Sequence, residues 1–235
     1  IAPEEIIKKY GAEMLRLWVA SSDYHADVRV SDDIFKQLSQ AYLKIRNTAR
    51  YMLGNLCDFD PNDLMPAQDM RDIDRWAVSR LNDLTERVVA AYDQYAYHII
   101  YHAVRNFCVV DMSNFYLDTL KDTLYCDAKD GHDRRSAQTA MFLILDSLVR
   151  LLAPILAFTA DEIWSAMPHR NSDNPENVML NEINPPFTEY ELSEQQMAEF
   201  DELAKIRDTV NVALENARTD KMIGKSLEAK VTIHC

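Results

Sequence analysis

The sequence predicts an all-α helical bundle, and three observations predict it. Glycine and proline are scarce, 4 and 8 in 235 residues, while Leu, Ala, Glu, Asp and Met are abundant, a balance that favours long helices over a turn-rich sheet. Apolar residues recur at spacings of three and four through most of the chain, the period of a helix with one buried face. Hydrophobic content of 48% supplies a core for one large or two modest domains.

The first helix starts at Pro3-Glu4-Glu5, because proline is tolerated in a first turn and carboxylates are favoured by the positive end of the dipole, and stops near Tyr10-Gly11. A second runs from Ala12 to Ala20 with Leu15, Trp18 and Val19 on its buried side, followed by a polar connector from Ser21 to Val30. Ser31 is an N-cap backed by Asp32 and Asp33. The long helix after it carries Ile34, Leu38, Ala41, Ile45, Ala49, Met52 and Leu56 as one apolar stripe, with Lys44, Asn47 and Arg50 on another side. Two prolines with several Asp and Asn residues mark a loop between Asp58 and Asp69.

Ile73, Ala77, Leu81, Leu84, Val88, Ala91 and Tyr95 define a further long helix. The next, from Tyr97 to Tyr125, is apolar nearly all round, which predicts a central place in the bundle. Asp127 to Asp133 is a polar turn, and the helix from Arg134 must end or kink at Pro154. Phe158 to Met167 continues as a short helix. Pro168 to Glu191 reads as a long irregular connection with an extended piece at Val178 to Leu180. A last helix spans Ser193 to Thr219, with Met197, Phe200, Leu203, Val210, Leu214 and Ala217 apolar. The alternation from Leu227 to Ile233 predicts a strand, the short α/β start of a C-terminal subdomain.

A net charge of −13 disfavours indiscriminate binding to nucleic acid or anionic membrane, since a negative surface repels phosphates over about 8 to 10 Å. Any such binding must be local, and basic residues do cluster: Lys44, Arg46 and Arg50; Lys121; Arg134 with Arg135; Lys221 with Lys225. The stretch Arg46-Asn47-Thr48-Ala49-Arg50 sets two guanidiniums and an amide on one helix face, a pattern suited to an anionic partner. Taken alone, each cluster is more often a solvated face than a binding site.

Four cysteines without paired spacing, Cys57, Cys108, Cys126 and Cys235, indicate a reducing, cytoplasmic setting. No apolar run of membrane-spanning length and no signal peptide is present. The opening at Ile1 without Met reads as a piece of a longer protein. His98 and His102 share the i, i+4 spacing of metal ligands, but no Glu follows the first His, so the zinc-protease pattern is absent. Asp118 and Asp122 share a face and read as solvated or salt-bridged. Asp111, inside the apolar run Phe107 to Leu117, must find partners or face a polar groove. No phosphate-binding glycine loop or nucleophile elbow is visible, and no catalytic residue is assigned.

Longer motifs carry a resemblance that periodicity does not. Tyr10-Gly11-Ala12-Glu13-Met14-Leu15-Arg16-Leu17-Trp18, Asp27-Val28-Arg29-Val30-Ser31, Arg46-Asn47-Thr48-Ala49-Arg50, Asp74-Arg75-Trp76, Asn114-Phe115-Tyr116-Leu117-Asp118 and Lys121-Asp122 resemble the region following the KMSKS loop of isoleucyl-tRNA synthetases. Leu152-Ala153-Pro154-Ile155-Leu156-Ala157-Phe158-Thr159-Ala160-Asp161-Glu162-Ile163-Trp164 is similar to a signature shared by the isoleucyl, valyl and leucyl enzymes. Arg46 to Arg50 and Ile223-Gly224-Lys225-Ser226-Leu227-Glu228-Ala229 favour the isoleucyl enzyme. The HIGH and KMSKS motifs, the editing insertion and the cysteine-rich zinc module are absent.

The resemblance implies a helical anticodon-binding region of a class I aminoacyl-tRNA synthetase, divided into a stem-contact linker at 1–30, a helical domain at 31–190, and a long helix with a truncated subdomain at 191–235. It implies isoleucine-specific tRNA as partner, together with the parent's own catalytic and C-terminal domains, in a monomer that touches no membrane. No cofactor is expected in this chain. ATP and Mg belong to the parent's ligase chemistry, and zinc to a C-terminal module. Lys121 is the first tRNA-binding candidate, because the Lys-Asp motif ends the central helix where such domains face the loop. Arg46, Asn47, Arg50 and Lys44 follow on the long helix, and Arg134 and Arg135 are added on charge alone. Arg75, Trp76 and Trp164 are assigned to packing. Three other readings compete: a valyl or leucyl enzyme, an acidic helical module that binds no RNA, and a carboxylate or histidine metal site.

Overall fold

Ser31 takes extended backbone and its hydroxyl accepts a hydrogen bond from the Ile34 amide at 3.3 Å, so helix α3 begins where the cap requires, at Asp32, and runs to Asn55. The structure is a computed structural model that describes residues 2–233. Before α3 lie α1 (Pro3–Tyr10) and α2 (Ala12–Ser21); after it come α4 (Asp72–Asp93), α5 (Tyr97–Asn106), a π-helical segment (Phe107–Tyr116), the single turn α6 (Leu117–Thr119) and α7 (Lys121–Cys126). α8 (His132–Leu152), α9 (Ala157–Ala166) and α10 (Glu194–Thr219) complete the order, and the described residues contain no strand. The chain divides into two compact units between Glu191 and Leu192.

In the first unit the central element is α8, in which every residue from Ser136 to Leu152 is buried. The segment from Tyr97 to Tyr125, expected to be central, is instead broken into four pieces, and Val110 is 49% exposed. What separates the two segments is continuity: α8 is one unbroken helix packed by α3, α4, α7 and α9, whereas the other segment changes helical type at Phe107 and breaks at Leu120. On α2 the buried side is Met14, Leu17 and Ala20, and Val19 is exposed, because the helix lies against α3 and α5 along that edge. On α3 the stripe is Phe35, Leu38, Ala41, Ile45, Ala49 and Met52, close to expectation.

Buried acids organise the interior around hydrogen bonds. Asp74 is fully buried and accepts from the Arg71 guanidinium at 2.8 and 3.2 Å, the Tyr116 hydroxyl at 2.7 Å and the Ser136 hydroxyl at 2.6 Å. Asp146, also fully buried, accepts from Arg150 at 2.9 Å and Asn184 at 2.7 Å, with Arg170 at 3.3 Å. Arg150 also reaches Asp173 at 2.8 Å and the Glu182 carbonyl at 2.9 Å, and its guanidinium stacks 4.9 Å over the Trp164 ring. These bonds order the irregular connection 167–191, where residues 178–180 form a 3-10 turn rather than an extended piece.

The signature around Pro154 is architectural. α8 stops at Leu152 because proline cannot continue it. Arg16 donates to the exposed Pro154 and Ile155 carbonyls at 2.8 and 2.9 Å, while the Glu13 carboxylate accepts from the first amides of α9, Phe158 and Thr159, at 2.8 and 3.0 Å. In the second unit Ser193 and Gln196 form a reciprocal capping box at the start of α10, a helix with no buried residue. Residues 229–233 form no strand, contrary to the α/β start expected there. Alternation supplies a face, but a strand also needs a neighbour to accept its backbone bonds, and none is present among the described residues.

Candidate nucleic-acid interface

Helical geometry turns the Arg46 to Arg50 stretch in several directions rather than one. Thr48 and Ala49 point inward and are buried. The Thr48 hydroxyl donates to the Lys44 carbonyl at 3.0 Å and stands 3.0 Å from Ser113 Oγ, which itself donates to the Cys108 carbonyl at 2.8 Å, five residues back along the π-helical segment. α3 is thereby fastened to a widened turn of its neighbour. Arg46 lies half-buried and donates to the Glu162 carboxylate of α9 and, at 3.4 Å, to the Tyr42 hydroxyl. These bonds raise the Arg46 pKa and lower that of Glu162, so the pair is a charged clasp between α3 and α9. Asn47 and Arg50 are exposed, and their side chains make no hydrogen bond or ion pair among the described residues.

Lys121 opens α7 directly after the break at Leu120, and its ammonium donates to Asp118 at 2.7 Å. The bond to Asp118 raises the Lys121 pKa, and both side chains stay about half exposed, at 57% and 48%. A cleft of about 190 Å³ brings Lys121 and Asp118 together with Asn47, Thr48, Tyr51 and Ser113. Burial, reinforced by the neighbouring Tyr125 hydroxyl, raises the Tyr51 pKa and keeps it a neutral phenol. The cleft therefore sets a cation beside its carboxylate partner, with the Asn47 amide, the Ser113 hydroxyl and the half-buried Tyr51 around them, within a wall that the Thr48 cluster holds in place.

The remaining candidates stand elsewhere. Lys44 is exposed one turn before Asn47 and lines a different cavity of about 290 Å³ with Tyr101, His102 and Arg105. Arg134 is only 13% exposed and is committed to Asp58, at 2.8 and 3.3 Å, and to the Lys129 carbonyl at 3.0 Å. Arg135 lies 4.9 Å over the Phe59 ring and 3.7 Å from Asp63. Structure thus unites Lys121 with Asn47, turns Arg46 toward α9, and gives Arg134 and Arg135 partners inside the protein.

Asp111 is 13% exposed and pairs with Arg80 at 3.5 Å, the partner its apolar sequence setting demanded. Arg75 donates to the Tyr190 and Glu191 carbonyls, and Trp76 and Trp164 are buried. Sequence reading missed Tyr51, Thr48 and Ser113 as parts of the cleft. The helical position of Tyr51, four residues after Asn47, was the available signal; the π-helical turn that brings Ser113 to Thr48 left none. Among the described residues no cluster of His, Cys, Asp and Glu is arranged to hold a metal ion, and no helix is long and apolar enough to cross a membrane.

Comparison with known proteins gives a consistent result. The family described as the anticodon-binding domain of tRNA ligase matches residues 74–233. The isoleucine–tRNA ligase of Syntrophotalea carbinolica is 54% identical over 234 residues, 99% of this chain and 25% of that protein. Those of Geobacter sulfurreducens and Symbiobacterium thermophilum are 50% and 48% identical, again over 25% of each protein. The chain thus spans a quarter of the length of these relatives. Among solved structures, the ternary LeuRS–tRNA–LeuAMS complex of Agrobacterium radiobacter is similar over 83% of this chain and 22% of that one, with a TM-score of 0.59 at 17% identity, a likeness of fold.

Proposed function

The chain belongs to the anticodon-binding domain family of tRNA ligases, and from that premise we propose that it reads the anticodon stem-loop of an isoleucine tRNA as part of an isoleucine–tRNA ligase. The observation that carries the reading is the cleft in which Lys121 of α7 meets Asn47 and Tyr51 of α3. Loop bases are recognised when splayed out, stacked on aromatic or guanidinium planes and hydrogen-bonded at their edges, while cations pair with phosphates. Lys121 is held by a single exposed carboxylate, so an RNA acceptor can replace Asp118 without stranding a buried charge. Arg50 adds an exposed guanidinium with no partner among the described residues on the adjoining side of α3, and Lys44 another cation nearby.

The isoleucine assignment rests on the Syntrophotalea and Geobacter relatives. Their ligase chemistry, with ATP and Mg, would reside in the parent's catalytic domain, and zinc in a C-terminal module; this chain supplies recognition and no catalytic residue. A monomer in the cytoplasm is the fitting state, and free, exposed Cys57 and Cys126 suit a reducing compartment.

The test is binding of the chain at low salt to the anticodon stem-loops of isoleucine, valine and leucine tRNAs. The isoleucine loop binds most tightly, and Lys121→Ala, which removes a donor to a base-edge acceptor of that loop, costs about 1–3 kcal/mol of the preference while the circular dichroism spectrum and melting curve stay unchanged. Absence of binding to all three loops would instead favour an acidic helical module that recognises no RNA.

A further inference from the structure

Most arginines of the helical unit are spent on structure: Arg71 on Asp74, Arg134 on Asp58, Arg150 on Asp146 and Asp173. Arg87 and Arg105 are different. Both are exposed, and neither makes a hydrogen bond or ion pair among the described residues. They face a common cavity of about 330 Å³ between α4 and α5, together with His102 and Arg80. Two carboxylates also line it, Asp83 and Asp111, both paired with Arg80, at 3.2 and 3.5 Å, so three guanidiniums face two carboxylates and the cavity keeps a net positive charge in a protein of net charge −13.

The cavity does not end at α5. His102 and Arg105 also line the neighbouring cavity whose far wall carries Lys44, and Lys44 precedes Asn47 of the Lys121 cleft by one helical turn. Positive and amide groups therefore continue from Lys121 through Asn47 and Lys44 to Arg105 and Arg87.

We propose that the α4–α5 groove is a phosphate-backbone site, in which Arg87 and Arg105 hold phosphodiesters of the RNA whose loop enters the Lys121 cleft. The identity of the RNA rests on the proposed anticodon recognition; the anion chemistry of the groove does not. Guanidiniums suit it because each presents a planar fork of donors to phosphate oxygens. His102 reports on the groove, since burial followed by Arg105, His98 and Arg87 lowers its pKa and an anion seated among them would raise it.

The experiment measures stem-loop binding against salt for the wild-type chain, Arg87→Ala/Arg105→Ala and Arg87→Lys/Arg105→Lys, with the His102 ring titrated by NMR with and without inorganic phosphate. The double alanine variant is expected to flatten the log–log salt dependence by about 1.8, at about 0.9 per phosphate, equally for isoleucine, valine and leucine loops, and the lysine pair to restore most of it. An unchanged slope in a double alanine variant with a native circular dichroism spectrum overturns the proposal. If the wild-type chain binds no stem-loop, the anticodon reading fails. A phosphate-induced rise in the His102 pKa that the double alanine variant lacks then still supports the groove, as a site for free phosphate; no rise sinks it.

Discussion

Asp146 and Lys121 each sit in an ion pair of ordinary length, 2.9 Å to Arg150 and 2.7 Å to Asp118, yet the two pairs do opposite things. The first is sealed, with side chains 0% and 5% exposed, and it is further bonded by Arg170, Asn184, Asp173 and the Glu182 carbonyl. The second is open, with both side chains about half exposed to solvent. Distance therefore says little about what a charge is for. A charge enclosed by partners fixes the fold, and one that is left replaceable is available to a ligand.

The sharpest way to break this contrast is Asp146→Ala. It strips Arg150 of one of its carboxylate acceptors inside the core and Asn184 of its anchor, so it is expected to destabilise the chain by about 3–5 kcal/mol in urea unfolding. A loss below about 1 kcal/mol would mean that burial does not separate the two pairs. Tyr116→Phe is the next largest. The fully buried phenol donates to Asp74 at 2.7 Å, and its removal is expected to lower stability by about 1.5–3 kcal/mol without changing RNA binding.

These two sites also mark what could be read in the sequence. Outside the Tyr97–Tyr125 segment the helices were legible, because periodicity, the Ser31 cap and the proline at 154 are local signals. The buried networks were not. Asp74 and Asp146 look like surface acids on amphipathic helices until the chain brings Tyr116 and Ser136, or Asp173 and Asn184, from elsewhere. The cleft was half legible: Lys121 and Asn47 stand in recognisable motifs, but their meeting depends on the π-helical turn at 107–116, whose register no propensity predicts. Arg134 and Arg135 were chosen by charge, and charge alone cannot tell a phosphate ligand from the partner of Asp58.

Asp58 gives a smaller effect with a defined pH dependence. Arg134, followed by Gln138, holds its pKa below the usual 3.8. A depressed carboxylate pKa contributes stability that is full above the unfolded value and is lost as pH falls through the folded one. Asp58→Asn should therefore cost about 1 kcal/mol at neutral pH, a difference from wild type that holds down to about pH 5 and shrinks as the pH falls below the usual carboxylate range. A difference that persists undiminished at pH 2 would show that the Arg134 contact acts through packing rather than charge.

The finest comparison lies within one helix turn. Arg46 and Arg50 share a motif, but Arg46 is clasped by Glu162 while Arg50 has no partner among the described residues. Arg46→Ala should leave the salt dependence of RNA binding unchanged and trim stability slightly, since a half-exposed pair is worth little. Arg50→Ala should do the reverse, leaving the melting curve in place and flattening the salt dependence by about 0.9 if its guanidinium meets one phosphate. Equal behaviour of the two variants in both assays would dissolve the distinction between enclosed and replaceable charge at the place where sequence alone treats them as twins.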